Sequence, residues 1–189
     1  KIVFCSLRGE IEREFTINKS LIEDEMILPA GFSLSVFNTP VALATLAFKL
    51  TGGYSVLYPS KNNFADCFNA AVAPLLAGTE EQIIFVYADE LVPEVYGQKR
   101  PAENIPFSFA TLISTKKEDK AIRFNVDDLS KISSSPIAFL KDFYALSLVE
   151  PTKICPATEY IEQQEKLVDF ILYSKSIYKN NLIRDKEPC

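Results

Sequence analysis

Apolar and polar residues along this chain switch repeatedly between the strand period and the helix period. Ile2, Val3 and Phe4 open it with an apolar cluster that predicts a strand over residues 1–6. Over residues 10–23, Ile11, Phe15 and Ile22 share one helical face with charges opposite, and Pro29-Ala30-Gly31 then breaks the helix. Phe32, Leu34 and Val36 alternate with Ser33 and Ser35, which suits a short extended piece, with an irregular loop as the alternative. Asn38 or Thr39 caps the next helix, with Pro40 at its first position. Residues 41–50 are apolar nearly all round, the mark of a buried helix, and Ala42, Ala44 and Ala47 suit close packing on a sheet.

The pattern is densest over residues 52–78. Tyr54 to Tyr58 make a strand that Pro59 stops, and Ser60, Lys61, Asn62 and Asn63 are turn and N-cap types. Phe64, Cys67, Phe68, Ala71 and Leu75 recur at helical spacing, and Gly78 stands where a helix end needs positive φ. A strand feeding a helix N-terminus brings free N–H groups together, so the turn is a natural place for chemistry. Residues 82–88 form an unbroken apolar run, expected for a strand covered on both faces and lying beside the 54–58 strand at the sheet centre, with helix 63–77 on one face. A Pro-containing connection (91–104) leads to a strand over 107–115, paired with 121–126 across the polar turn 116–120. Ser135-Pro136 opens a helix over 137–148, packed through Phe139, Leu140, Phe143 and Tyr144. Pro151 and Pro156 bracket a linker, and residues 158–178 read as an amphipathic helix with Leu167, Val168, Ile171 and Leu172 inward. Helices alternating with strands give an α/β fold, a mixed sheet with helices on both faces.

Composition narrows the function. With 189 residues, 48% hydrophobic and 24% charged, the chain has material for one domain with a substantial core. A formal charge of −5 argues against a nucleic-acid partner. No apolar run approaches the roughly 20 residues that span a bilayer, so no membrane span is expected. The chain opens at Lys1 directly in strand-like sequence, and residues are expected before it. Cys5, Cys67, Cys155 and Cys189 lack metal-ligand spacing; Cys5 and Cys67 sit among apolar neighbours as free thiols, pointing to a reducing, cytoplasmic setting. There is no histidine, which removes Ser-His and Cys-His pairs and most zinc sites. No cofactor or metal is expected.

Four segments in order carry a resemblance: FCSLRGEIER, AGFSLSVFNTP, residues 52–78, and IIFVYADELVPEVY. Over roughly residues 2–148 the chain resembles β-ketoacyl synthases of the thiolase-like fold, and more closely their short N-terminal-domain and chain-length-factor-like relatives of aryl polyene type clusters. The resemblance implies a β-ketoacyl synthase N-terminal-like domain over residues 1–148, one thiolase-like half with a five-stranded mixed sheet between helical layers. Residues 149–189, outside the resemblance, are read as a linker and helix packed on the same domain.

Laid between Gly52-Gly53 and Gly78 without a gap, the family's nucleophilic cysteine falls on Lys61. A lysine at a helix N-terminus cannot supply a thiolate. Cys67 lies six residues later, inside the helix, and reads as core packing. The family's catalytic histidines belong to a second half for which this chain has no residues. The resemblance therefore implies a non-catalytic subunit, inactive alone, in a heterodimer with a true ketoacyl synthase in polyketide, aryl polyene or fatty-acid-like biosynthesis. An acyl carrier protein is a second candidate partner, although the net acidic charge opposes strong docking and leaves only Lys99-Arg100 and Lys116-Lys117 as basic spots. The competing readings are a stand-alone acyl-thioester enzyme with another nucleophile and a structural module that binds acyl carriers.

In the thiolase-like fold the strand leading into the nucleophile lies at the two-fold interface, which assigns Tyr54, Val56, Leu57, Tyr58 and Pro59 to a partner surface. Asn38, Tyr87, Asp89 and Glu90 are further family-motif positions. Paired carboxylates can act as acid and base, but at the end of a strand they more often cap a loop or meet a partner's arginine. Asn38, Asn62 and Asn63 read as caps and turn residues.

Overall fold

The computed structural model describes residues 1–26, 28–59, 61, 63–97, 104–116, 122–148 and 167–171, with backbone alone at 122–125, 144–148 and 167–171. Its elements in chain order are β1 (Ile2–Cys5), α1 (Ile11–Asp24), α2 (Pro29–Ser33), α3 (Thr39–Ala47), β2 (Tyr54–Leu57), α4 (Phe64–Leu76), β3 (Gln82–Asp89), β4 (Phe107–Ser114), β5 (Ile122–Asn125), α5 (Pro136–Leu148) and β6 (Leu167–Ile171). The strands form one sheet in the order β2-β1-β3-β4-β6-β5. β1 runs parallel to both β2 and β3, so Cys5 stands opposite Leu57 on one side and Tyr87 on the other. β4 is antiparallel to β3, and β6 is antiparallel to both β4 and β5.

Strand alternation divides the core unequally. Val3 and Cys5 of β1, Ile83, Phe85 and Tyr87 of β3, and Ile113 of β4 face α4 and α5. There Phe64 forms the hub of an aromatic cluster, its ring centre 5.5 Å from Tyr87 and 5.1 Å from Phe139. A fully buried side chain of this size contributes about 2–3 kcal/mol. On the other face Ile2, Phe4 and Val41 of α3 are buried, with Val56, Tyr58, Val86 and Ala88 partly buried beside them. Helices thus lie on both faces, but the α3 face is thinly covered. At the start of α4, Asn63 Oδ1 accepts the Ala65 N–H at 3.2 Å, and at its end Gly78 adopts φ +72°.

One buried carboxylate holds the ends of β1 and β3 together. Asp89 Oδ1 accepts the Ser6 hydroxyl at 2.6 Å and the Leu7 and Arg8 N–H groups at 2.9 and 3.0 Å. The Tyr87 hydroxyl donates to Oδ2, and Arg8 Nε stands 3.7 Å from the same oxygen. Ser6 Oγ in turn accepts the Gly9 N–H at 2.8 Å, closing the turn that leads to α1. Arg8 also donates to Glu90 O at 2.7 Å and to Asn104 Oδ1 at 3.2 Å. Asn104 accepts the Val92 N–H and donates to Val92 O, so both connections at this end of the sheet are tied to one centre.

Several expectations are corrected. The sheet is not five-stranded: a four-stranded core, β2-β1-β3-β4, is extended to six by β6 and β5. The 54–58 and 82–88 strands are not neighbours, because β1 inserts between them and leaves β2 at the edge. β3 is not covered on both faces; its residues alternate, and Ile84 is exposed. The expected 107–115 and 121–126 hairpin is split by β6. Residues 167–171, expected in a helix, form that strand, since a short apolar run fits either period; the rest of 158–178 lies outside the described residues. The 32–36 segment starts as a short helix, α2, rather than an extended piece, and the expected buried helix α3 buries only Thr39 and Val41. Phe15 packs edge-on against Tyr96, but Ile22 is 80% exposed and no α1 residue is fully buried. Cys5 and Cys67 are both buried, but they are joined in a disulfide, their Cα atoms 6.4 Å apart where β1 meets α4. The expectation of a reducing setting, which rested on free thiols, loses that support.

The carboxylate hub sets an order of costs. Asp89→Ala leaves buried donors unpaired and lowers stability by about 3 kcal/mol. Tyr87→Phe removes a single donor and costs about 1 kcal/mol, with Asp89→Asn between them. Urea unfolding of the three variants measures this order; equal midpoints would contradict the hub.

Candidate functional site

The C-terminal ends of β1 and β3 open onto a cleft of about 760 Å³. Leu7 and Arg8 from the turn after β1 form one wall, and Tyr96 lies on the turn that follows β3. Ser134 and Ser135, just before α5, face them, and Lys61 stands at the junction of β2 and α4. The lining therefore combines apolar side chains with two cationic ones, Arg8 and Lys61, the hydroxyls of two serines and two tyrosines, and the Asp89 carboxylate.

Lys61 is exposed and adopts φ +64°, a left-handed conformation that costs a residue with a Cβ about 1–2 kcal/mol. It sits where the chain leaves an apolar strand and enters a buried helix, so the backbone turns sharply there. The helix N-terminus behind it is already partly satisfied. Asn63 takes the Ala65 N–H, and Ser134 O accepts the Phe64 N–H at 3.2 Å. The donors that would favour an anion at this turn are thus fewer than the bare strand-to-helix pattern suggests. Cys67 is buried inside α4 and held in the disulfide, so no free thiol stands in for a nucleophile in this helix. Among the described residues no group of three or more His, Cys, Asp or Glu side chains is arranged to hold a metal ion.

Tyr87 and Asp89 reach the same cleft, but their polar atoms are engaged with each other and with the turn after β1. Asp89 caps a loop and meets this chain's own Arg8. Glu90 does not share the cluster; its backbone carbonyl binds Arg8, and its carboxyl is raised above its ordinary value by burial and then by the negative Glu10 and Glu12.

The remaining singled-out residues gather at the β2 edge. Tyr54, Val56 and Tyr58 point to the α3 face, and Leu57 packs against the main core. The Tyr58 ring stacks on Phe37 with centres 4.3 Å apart, and its hydroxyl donates to Phe37 O at 3.1 Å. Burial pushes the Tyr58 phenol up to about 12. Pro59 follows directly and is half-buried. Asn38 makes no side-chain cap to α3, contrary to expectation; its amide donates to the Tyr54 hydroxyl at 3.2 Å, which ties α3 to β2. The structure thus gathers Lys61, Tyr87 and Asp89 at the cleft and places Asn38, Tyr54, Val56, Leu57, Tyr58 and Pro59 along the edge. Ser6, Arg8 and Asn104, which build the polar network, were not singled out from sequence; the Ser-Leu-Arg-Gly step directly after an apolar strand was the available signal.

No curated protein matches the chain. Among solved structures it is similar to a ketosynthase (ApeO) in complex with its chain length factor (ApeC) from Xenorhabdus doucetiae, with a TM-score of 0.58 and 20% identity, covering 89% of this chain and 67% of that one. At that identity the likeness speaks for the fold alone, the thiolase-like fold of the ketosynthases. The sequence itself matches the family described as “Beta-ketoacyl synthase, N-terminal domain” over residues 1–138, well over half of its length. The chain therefore belongs to the β-ketoacyl synthase N-terminal domain family.

Proposed function

We propose that this chain is a non-catalytic β-ketoacyl synthase homologue, a chain-length-factor-like subunit that pairs with a catalytic ketoacyl synthase and shapes the space in which its acyl chain grows. The observation that carries the reading is Lys61. By the resemblance it falls at the family's nucleophile position; it stands exposed in a turn of positive φ ahead of α4, and a lysine cannot supply the thiolate needed there. A lysine nucleophile requires a desolvating pocket, and Lys61 is exposed. Asp89, the buried carboxylate that lines the cleft with Lys61, is committed to the turn after β1 and is not free to act as a base.

The similar solved structure is itself a ketosynthase with its chain length factor, which supports a heterodimer for this chain. The strand β2 supplies a matching feature: among the described residues it ends the sheet, with no further strand paired to its outer edge. We assign Tyr54, Val56, Leu57, Tyr58 and Pro59 to the partner edge on that ground. The reading fits a polyketide, aryl polyene or fatty-acid-like pathway; among the described residues no helix is long and apolar enough to cross a membrane.

Two outcomes are expected. Co-expressed with its cognate ketoacyl synthase, the tagged chain co-purifies with it in a 1:1 complex, and alone it does not turn over malonyl thioesters; turnover by the chain alone would sink the reading. Lys61→Gly, which removes the Cβ from a left-handed position, raises stability by about 1 kcal/mol and leaves capture of the ketoacyl synthase unchanged. Thermal unfolding and quantitative pull-down of the variant check both parts.

A further inference from the structure

Among the described residues two cysteines meet where β1 ends and α4 begins. Cys5 is the last residue of β1, in register with Leu57, the last of β2, on one side and with Tyr87 on the other. Cys67 lies in the first turn of α4, the helix that β2 feeds, and its Sγ is 3.5 Å from Leu57 O. The bond between the two cysteines therefore ties the end of β1 to the start of α4. Directly after Cys5 come Ser6, Leu7 and Arg8, the donors to Asp89, and Lys61 stands between Leu57 and α4. Both sides of the cleft are thus set next to this one bond.

Two features separate this pair from a permanent staple. The same core holds Phe64, Phe68, Phe85 and Phe139 as buried rings, and folds that depend on disulfides are ones too small to build such a core. A free cysteine is also an ordinary small apolar side chain, so both redox states suit positions that are 0% and 2% exposed. The two states differ in geometry. Unbonded sulfurs cannot approach as closely as bonded ones, and a close-packed interior has no slack to absorb the difference. The first turn of α4 is the part that yields, because a helix end opens more readily than a strand paired on both sides, as β1 is.

We propose that Cys5 and Cys67 are a reversible thiol–disulfide couple that fixes the start of α4 against the end of β1 when oxidised and loosens it when reduced. The oxidant is a small-molecule disulfide. When the first turn of α4 opens, the Cys67 thiolate attacks one sulfur of that disulfide and displaces one thiolate. The Cys5 thiolate then attacks Cys67 Sγ in the mixed disulfide and displaces the second. Two protein thiols are oxidised, one small disulfide is reduced to two thiols, and the two protons pass from the cysteines to the departing sulfurs. Small-molecule thiols run the same steps in reverse. The couple lies wholly within this chain and needs no partner subunit.

The test uses the full chain carrying Cys155→Ser and Cys189→Ser, which leaves only this pair. Equilibrated with oxidised glutathione, it has no thiol that alkylates, and peptide mapping without reductant yields the Cys5–Cys67 crosslink. Reduced glutathione, without denaturant, returns two thiols. On reduction the melting temperature falls by about 10 °C, and amide exchange over residues 64–68 speeds up at least tenfold while that of β3 is unchanged. Cys67→Ala in the same background melts at one temperature in both buffers. Two alkylated thiols in oxidised glutathione, or a glutathione adduct in place of the crosslink, would overturn the proposal. A crosslink that opens only in denaturant would overturn it too, since the bond is then a fixed staple. So would a reduction that leaves melting temperature and exchange unchanged.

Discussion

Everything at the working end of this molecule depends on the buried Asp89 carboxylate. A charge taken out of water at the end of β3 is tolerable only if donors surround it, and the turn after β1 provides them: the Ser6 hydroxyl and the Leu7 and Arg8 N–H groups. β1 and β3 are parallel neighbours, so both end at the same edge of the sheet, where the chain departs into connections. Without the carboxylate the part-buried Leu7 N–H would lose its acceptor and the Arg8 N–H would keep only Ser6 Oγ, at 3.3 Å. With it, Arg8 is aimed at Glu90 O and Asn104, and the wall of the cleft is set. The same commitment bears on chemistry. A carboxylate saturated by the fold is unavailable to a substrate, so a residue that looks like an acid–base candidate serves as an anchor.

The second organising fact is the inequality of the two sheet faces. Phe64, Phe68, Phe85, Tyr87 and Phe139 fill the α4–α5 side with fully or nearly fully buried rings. The opposite side holds Ile2, Phe4 and Val41 and then runs out of cover. Among the described residues, packing is therefore concentrated on one face. The exposed Lys61 in the turn before α4, the place of β2 at the end of the sheet among the described residues and the exposed leucines of α3 are separate observations, and the proposed subunit, contributing surface rather than a nucleophile, accounts for all three.

Much of this was legible in the sequence wherever a period and a punctuating residue agreed. The helix α4 is the clearest case, with apolar residues at helical spacing, Asn63 at its start and Gly78 past its end. The strand β3 and the helix α5 were readable for similar reasons. The α3 segment misled because an all-apolar helix looks the same whether its second face meets its own sheet or another chain. Strand order was hidden because adjacency in a sheet has no local signal, so β1 between β2 and β3 could not be read from either strand. The polar hub was hidden by distance along the chain: Ser6 and Asp89 are 83 residues apart, and each alone is an ordinary polar residue beside a strand. Cys5 and Cys67, 62 residues apart, likewise read as two separate apolar positions until β1 and α4 were packed together.

The central claim is that this chain lends shape and surface to a condensing enzyme and carries no acyl group itself. Intact-mass spectrometry of the purified heterodimer, after incubation with an acyl thioester, tests it most directly. The account predicts one acyl adduct per complex, on the ketoacyl synthase subunit, with the mass of this chain unchanged. An adduct on this chain, at Lys61 or anywhere else in the cleft, would contradict it.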